Sequence, residues 1–421
     1  MRMIDPPKTM MMNNIQTPLN NKLSIKLAEI SQILSEKTIK CDHIGVLTGT
    51  SGIAMFQFYY AQFSKNDSYA DTGVELIEHC IEKINAGYDK PTYCDGLSGF
   101  GWTLNHLKEK SFVDVEDKLL LGLEDYMCSL MLSDMNYGNY DFLHGAIGYG
   151  FYFLKRYKNT VSKKSKERYK KYLLKLIGAL ETSSEKRNGR ISWVSEINIQ
   201  SGKKLKVYDF VLSHGIASII NFLSRLYVLD EFKLEVDNML KGTINFILYK
   251  ANQNHTTLSI FPNYVCDSEK VEYNSRVAWC YGDLGIALSL WHAANAMNDQ
   301  NLKNFSLDVF ERTAKRRTQQ ETLVVDACVC HGSFGNAQIF NYMYRNTKNE
   351  TFKEAAEFWI NDGLKKSIHP DGYANYKIWY GYEQKWKNEL SLLEGISGIG
   401  LVMMSYLSED LSDWDECLMI S

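Results

Sequence analysis

The chain has 421 residues, of which 45% are hydrophobic and 23% charged, with 47 basic against 50 acidic side chains and a formal net charge of −3. That balance excludes a broad cationic face for nucleic acid, and no apolar run reaches the ~18 to 20 residues needed to span a bilayer. Nine cysteines, an odd number without framework spacing, point to a reducing, cytoplasmic setting, and only six prolines point to a helix-rich chain.

From the N-terminus, residues 1–20 are rich in Met and Asn, lack the continuous apolar stretch of a signal peptide, and are expected to form a loose tail. A short signature then occurs seven times: Gly49-Thr-Ser-Gly52, Gly96-Leu-Ser-Gly99, Gly145-Ala-Ile-Gly148, Gly215-Ile-Ala-Ser218, Gly282-Asp-Leu-Gly285, Gly332-Ser-Phe-Gly335 and Gly395-Ile-Ser-Gly398. Successive copies begin 47, 49, 70, 67, 50 and 63 residues apart. One such tetrapeptide means nothing, but seven at this period signal a repeat architecture. Each copy leads into an apolar segment, and amphipathic stretches lie between copies. Val74, Ile77, Ile81 and Ile84 recur at helical steps in one stretch, and Tyr169, Tyr172, Leu173, Leu176 and Leu180 in another.

Each repeat therefore reads as a helical hairpin, with a buried inner helix opened by the signature and an amphipathic outer helix. Seven hairpins bury both ends of the array if they close on themselves. The expected fold class is all-α: an α/α toroid, or double-layered barrel, forming a single domain over 21–421. The longer third, fourth and sixth intervals leave room for insertions, expected around 185–210 and 254–275. In the former, Ile191-Ser-Trp-Val and Leu205-Lys-Val-Tyr-Asp-Phe-Val read as short strands joined by Ser201-Gly-Lys-Lys.

The register of the repeats locates the chemistry. The residue preceding each signature glycine is, in order, Thr48, Asp95, His144, His214, Tyr281, His331 and Glu394. One place earlier stand Leu47, Cys94, Leu143, Ser213, Cys280, Cys330 and Leu393. In a closed ring these columns lie at one end of the central cavity. Cys280 with Cys330 and His331, from consecutive repeats, form a candidate zinc site: thiolate and imidazole suit that metal, and three protein ligands leave a fourth position open. Buried structural thiols are the bland alternative, and it is preferred for Cys94 and Cys328.

His214, on the repeat before Cys280, is a candidate proton donor, with His144 in the same column as its rival. Asp141 could orient an imidazole or raise its pKa, or simply cap a helix. Arg276 could hold a developing negative charge or a surface ion pair. Trp279 and Tyr281, flanking Cys280, suit either core packing or a substrate platform.

Trp279-Cys-Tyr-Gly-Asp-Leu-Gly285, Cys330-His-Gly332, Leu212-Ser-His-Gly215, Asp141-Phe-Leu-His-Gly145 and Leu392-Leu-Glu-Gly-Ile-Ser-Gly-Ile-Gly400 together resemble the lanthionine synthetase C (LanC-like) cyclases of lanthipeptide bacteriocin biosynthesis, over residues 40 to 405. The resemblance implies an α/α toroid with one Zn2+ at Cys280, Cys330 and His331. It implies acid/base roles for His214 and Asp141, and supporting roles for Arg276 and Tyr281. Leu284 stands where many members have Pro, and Ser218 replaces the second glycine of repeat four; neither is a ligand position. The implied reaction is addition of peptide Cys thiols to dehydroalanine or dehydrobutyrine, closing thioether rings. The implied partners are a dehydrated precursor peptide with its leader, a dehydratase and an exporter, the last two offering a route to membrane association without insertion. Three other readings fit the same residues: a glutathione-adding LanC-like enzyme, a zinc prenyltransferase-like enzyme with a partner subunit, and a non-catalytic peptide-binding scaffold with a structural zinc.

Overall fold

The computed structural model describes residues 17–36, 41–116, 119–198, 204–252, 257–266 and 270–421. Contacts fall into two compact units, Met1–Gly122 with Val325–Ser421, and Leu123–Val324. The chain opens with α1 (Pro18–Glu36), α2 (Thr50–Ser64), α3 (Ser68–Asn85) and α4 (Leu97–Glu109). There follow α5 (Leu121–Asn136), α6 (Ala146–Asn159), α7 (Lys163–Ser183), β1 (Glu185–Arg187), β2 (Arg190–Ser192), β3 (Ser195–Asn198) and β4 (Lys204–Asp209). Next come α8 (Ile216–Tyr227), α9 (Asp230–Tyr249), β5 (Tyr264–Val265), α10 (Asp283–Met297), α11 (Gln300–Ala314) and the single turn α12 (Gln319–Thr322). The first unit resumes with α13 (Ser333–Thr347), α14 (Glu350–Lys365), β6 (Ile378–Tyr380), β7 (Lys385–Lys387) and α15 (Ile396–Leu407), and ends on two 3-10 turns, Glu409–Leu411 and Asp413–Leu418.

Each of α2, α4, α6, α8, α10, α13 and α15 begins immediately after a signature glycine, which is its N-cap. These inner helices are buried nearly all round, as segments without a polar face must be. The chain folds back before each start, and in five of the seven the first helical N–H is taken by a carbonyl seven residues upstream. Thr50 bonds His43 O at 3.0 Å, Leu97 bonds Lys90 O at 2.8 Å, and Ser333 bonds Asp326 O at 3.2 Å. This satisfies a donor that a buried helix end would otherwise leave unpaired. The second glycine is a steric requirement: a Cβ on Gly335 would stand 1.8 Å from Val329 O, and one on Gly398 1.8 Å from Leu392 O.

Five of the seven inner helices pack against the amphipathic helix that follows them: α2 with α3, α6 with α7, α8 with α9, α10 with α11 and α13 with α14. The periodicity expected in α7 is the packed one, since Tyr169, Tyr172, Leu173, Leu176 and Leu180 are all buried. Each such leucine contributes about 2–5 kcal/mol against truncation to Ala. Among the described residues only 3-10 turns follow α15, and the outer helix packed against it is α1. Within the first unit α15 contacts both α13 and α2, and α2 contacts α4, giving the repeat order six, seven, one, two.

Two expectations need correcting. The tail expected over 1–20 overlaps α1, which starts at Pro18, a residue suited to the first turn of a helix because it lacks the N–H that would go unused there; residues 1–16 lie outside the described residues. The strand expected from Ile191 to Val194 does not pair with the one from Leu205. Instead Ile191 lies in β2, paired with β1 through the two-residue turn Asn188-Gly189, while β3 is the strand that pairs with β4. The expected turn at Ser201-Gly-Lys-Lys falls almost wholly outside the described residues. β5 adds to the free side of β4, and β6 with β7 forms a hairpin in the sixth interval.

Candidate active site

The column register inferred from sequence is a physical alignment. In the first unit Leu47 N–H bonds Cys94 O (3.0 Å), Leu393 N–H bonds Leu47 O (2.8 Å) and Cys330 N–H bonds Leu393 O (2.9 Å). In the second, Ser213 N–H and Oγ reach Cys280 O at 3.4 and 3.2 Å. Equivalent positions thus sit shoulder to shoulder on a rim at the N-terminal ends of the inner helices, where the positive end of each helix dipole favours negative charge. Cys94 is separated from Cys330 by two intervening repeats, and its sulfur lies 3.5 Å from Thr48 Oγ1.

In the second unit the rim carries an aspartate–histidine pair. His214 Nδ1 is 2.6 Å from Asp141 Oδ2, joining loops 73 residues apart. The other oxygen of Asp141 accepts from the N–H of Leu143 (2.6 Å) and His144 (2.9 Å), so the carboxylate both caps its own loop and orients a partner's imidazole. Burial disfavours a charged His214, but the Asp141 hydrogen bond and charge, with Asp209 and Cys280 behind them, raise its pKa to about 9. Burial likewise pushes the Asp141 carboxyl up, and His214 outweighs it, holding the pKa below the usual range. The pair is therefore ionised at neutral pH: His214 holds a proton on each ring nitrogen, and Nε2–H is the one not committed to Asp141.

Asp209, five residues before His214, is a second carboxyl at this pair. Burial drives its pKa up to about 6, against the Val211 N–H that it accepts at 3.0 Å and the charge of His214. β4 ends on Asp209, and Phe210 N–H bonds Asn263 O at 2.9 Å, so the inserted sheet buttresses the His214 loop. The Tyr281 ring stands 6.3 Å from the His214 ring, edge to face, and is 37% exposed. Arg276 is half-buried, and its guanidinium makes no hydrogen bond or ion pair among the described residues. Its carbonyl lies against Gly282, whose φ of +80° favours glycine at that position. His144 is exposed. Cys280 is 3% exposed.

In the first unit Cys330 and His331 occupy the rim of repeat six. His331 Nε2 lies 3.3 Å from Asp326 Oδ2, a fully buried carboxylate that also accepts the N–H of Cys328 (3.1 Å) and of Trp379 (3.0 Å). The Trp379 bond anchors Asp326 to β6. Burial raises the Asp326 pKa, and His331 with these donors more than reverses it. A carboxylate holding one ring nitrogen is the usual support of a metal-ligating histidine, because it fixes the tautomer and turns the other nitrogen outward. Cys328 offers a sulfur within 4.8 Å of the same two groups. Its thiol, however, is pushed up to about 12 by burial and by Asp326, and its sulfur accepts His331 N–H at 3.4 Å. Glu394, at the rim of repeat seven, accepts from Tyr380 Oη at 2.8 Å, and burial raises its pKa.

Asp209 and Asp326 are the two residues that reasoning from sequence passed over. A signal was present: Asp209-Phe-Val-Leu-Ser-His-Gly215 and Asp326-Ala-Cys-Val-Cys-His-Gly332 share one Asp-x4-His-Gly spacing.

The model of the lanthionine synthetase C-like protein family matches residues 42–419, and the chain belongs to that family. It is 23% identical over 403 residues to the nisin biosynthesis protein NisC of Lactococcus lactis subsp. lactis, covering 89% of each chain. The solved structure of a nisin cyclase superposes with a TM-score of 0.71 at 18% identity, covering 96% of this chain and 98% of that one. The fold class is accordingly the all-α toroid expected from the repeats, with short strand insertions. No helix among the described residues is long and apolar enough to cross a membrane.

Proposed function

We propose that the chain is a zinc-dependent lanthipeptide cyclase, and that the observation carrying this reading is the ionised His214–Asp141 pair on the rim beside Cys280. Cys280, Cys330 and His331 each offer one ligand atom for the zinc. The donor set fits: two thiolates and a neutral imidazole neutralise the ion, and Asp326 supports the histidine. Zinc, when bound there, would lower the pKa of a substrate thiol from its ordinary value near ~8.5 so that it attacks as the thiolate.

The substrate is a precursor peptide in which Ser or Thr has already been dehydrated, so a dehydratase must act first and an exporter follows. As the sulfur bonds to Cβ of the dehydro residue, the π pair moves onto Cα and the adjacent carbonyl. Arg276 holds that negative charge, and the ring of Tyr281 lines the approach. His214 delivers its Nε2 proton to Cα, and Asp141 keeps the imidazole oriented and recharged. The proton shed by the thiol balances the one that His214 takes back. The product is a lanthionine or methyllanthionine ring, with Cα stereochemistry set by the face on which His214 stands.

His214→Asn tests the assignment in an assay that scores ring pattern and stereochemistry as well as rate, because thiols also add to dehydro residues unassisted. Zinc content should be unchanged, and enzymatic cyclisation of a dehydrated peptide should fall by at least ~100-fold. His144→Asn should be far milder. Regioselective ring closure at a near-normal rate by His214→Asn would remove this histidine from the mechanism.

A further inference from the structure

The second unit carries a strongly cationic face on the outer helix α7. Residues 163–175 hold six lysines and Arg168 against the single acid Glu167, a local charge of +6 in a chain of net −3. Lys163, Lys164 and Lys166 fall in the first four residues of the helix, where no acid is present and the positive end of the helix dipole disfavours cations. Lys166 with Lys170, and Lys171 with Lys175, are like-charged pairs at i,i+4, which weaken a helix further. The helix forms in spite of these costs because Tyr169, Tyr172, Leu173, Leu176 and Leu180 bury its other side. Lys163, Lys164, Lys170, Lys171 and Lys175 form no ion pair or hydrogen bond among the described residues. Exposed lysines elsewhere sit against acids: Lys204 at 3.2 Å from Glu196, Lys241 at 2.8 Å from Asp237 and Lys353 at 3.4 Å from Glu350. Two acids of neighbouring helices reach the cationic face, and both are engaged. Asp125 holds Arg168 (2.7 Å) and Tyr172, and Glu231 accepts from Tyr157 Oη at 2.8 Å.

We propose that this face of α7 binds the surface of an anionic phospholipid bilayer directly, without a partner protein. The choice of lysine favours a bilayer over an acidic protein. Interfaces between proteins are depleted in Lys and enriched in Arg and aromatic side chains, whereas a fluid layer of phosphates asks only for long, mobile point charges. The charged stretch runs about 18 Å along the helix, enough to meet several headgroups at once. With its apolar side committed to the core, α7 lies on the headgroups and does not insert. Val161, 94% exposed in the connection between α6 and α7, adds an apolar contact at the same end. α6 starts at the rim and α7 returns beside it, so the lysine-rich start of α7 lies at the end of this hairpin away from the rim. A bilayer on this face therefore leaves the His214–Asp141 pair open to peptide. The attachment is independent of the cyclase reading, and each stands or falls alone.

The test is co-sedimentation of the full-length protein with vesicles. It should bind phosphatidylcholine vesicles that contain about one third phosphatidylglycerol, stay in solution with phosphatidylcholine alone, and be released by about 0.5 M salt. The triple variant Lys164→Gln, Lys171→Gln, Lys175→Gln changes three exposed positions of α7 and relieves like-charge repulsion, so its helicity should be retained. Its affinity for the anionic vesicles should fall by about 100-fold. A control with the same change in net charge, Lys204→Gln, Lys241→Gln, Lys353→Gln, should bind them like the parent. The proposal is overturned if the parent does not bind anionic vesicles, if the α7 variant binds them like the parent, or if the control loses as much. Binding of the parent to poly-glutamate but not to the vesicles would equally overturn it, and would assign the face to an acidic protein.

Discussion

Replacing Asp141 by Asn isolates the electrostatic role of this carboxylate, because the amide oxygen can still accept from Leu143 and His144 while its NH2 turns toward His214. An amide donating to Nδ1 favours the neutral ring, and burial pushes in the same direction. The His214 pKa should then fall from about 9 toward its ordinary 6.5, a drop of about 2.5 units. From protonation alone, the charged fraction near pH 7 goes from almost complete to about one quarter, and near pH 8.5 from about three quarters to about one hundredth. The ratio of parent to variant cyclisation rates should therefore grow from about 4-fold near pH 7 to about 80-fold near pH 8.5. The ionisation of the substrate thiol is common to both proteins and cancels in this ratio. The assay is a pH series of ring closure on a dehydrated peptide, with Nε2 of His214 titrated by NMR on the same samples. A ratio that stays flat with pH, or a His214 pKa that does not move, would refute the argument that Asp141 keeps the acid charged.

Three further outcomes are expected. Cys280→Ala and Cys330→Ala should each lose zinc by elemental analysis while retaining most of their helicity, whereas Cys94→Ala should keep its metal; full occupancy in Cys280→Ala would sink the ligand set. Asp326→Asn should weaken zinc binding by about 10- to 100-fold in a chelator competition and leave the helices intact, since it loosens His331 without removing a ligand. Asp209→Asn should stabilise the protein above pH 6. The folded pKa is raised from 3.8 to about 6, so ionisation of the buried carboxyl costs stability as pH rises through that window, at most about 3 kcal/mol. The gain in Tm should vanish below about pH 4, where both forms are neutral.

The sequence by itself determined the repeat, its register and the residue types on the rim. Each is a local property: a helix start crossed by its own upstream carbonyl demands glycine at fixed spacing, and an outer helix demands an apolar stripe of 3.6 period. The thiols and imidazoles fall in line for the same reason, because equivalent positions of neighbouring hairpins share a hydrogen-bonded rim. What the sequence left open was every choice between equivalents. His144 and His214 share a column and a following glycine, and Asp141 is nearer His144 in the chain. Only the packed loops show that one oxygen of Asp141 caps its own turn while the other reaches His214, 73 residues away. Asp209 and Asp326 repeat the same spacing, yet their environments drive the first carboxyl up in pKa and the second down. The pairing of α1 with α15 was equally hidden, because the stripe on an amphipathic helix says that it must be covered and not by which helix. Spacing is set along the chain, whereas partner, burial and protonation are set by atoms far apart in sequence, and these only the tertiary structure brings together.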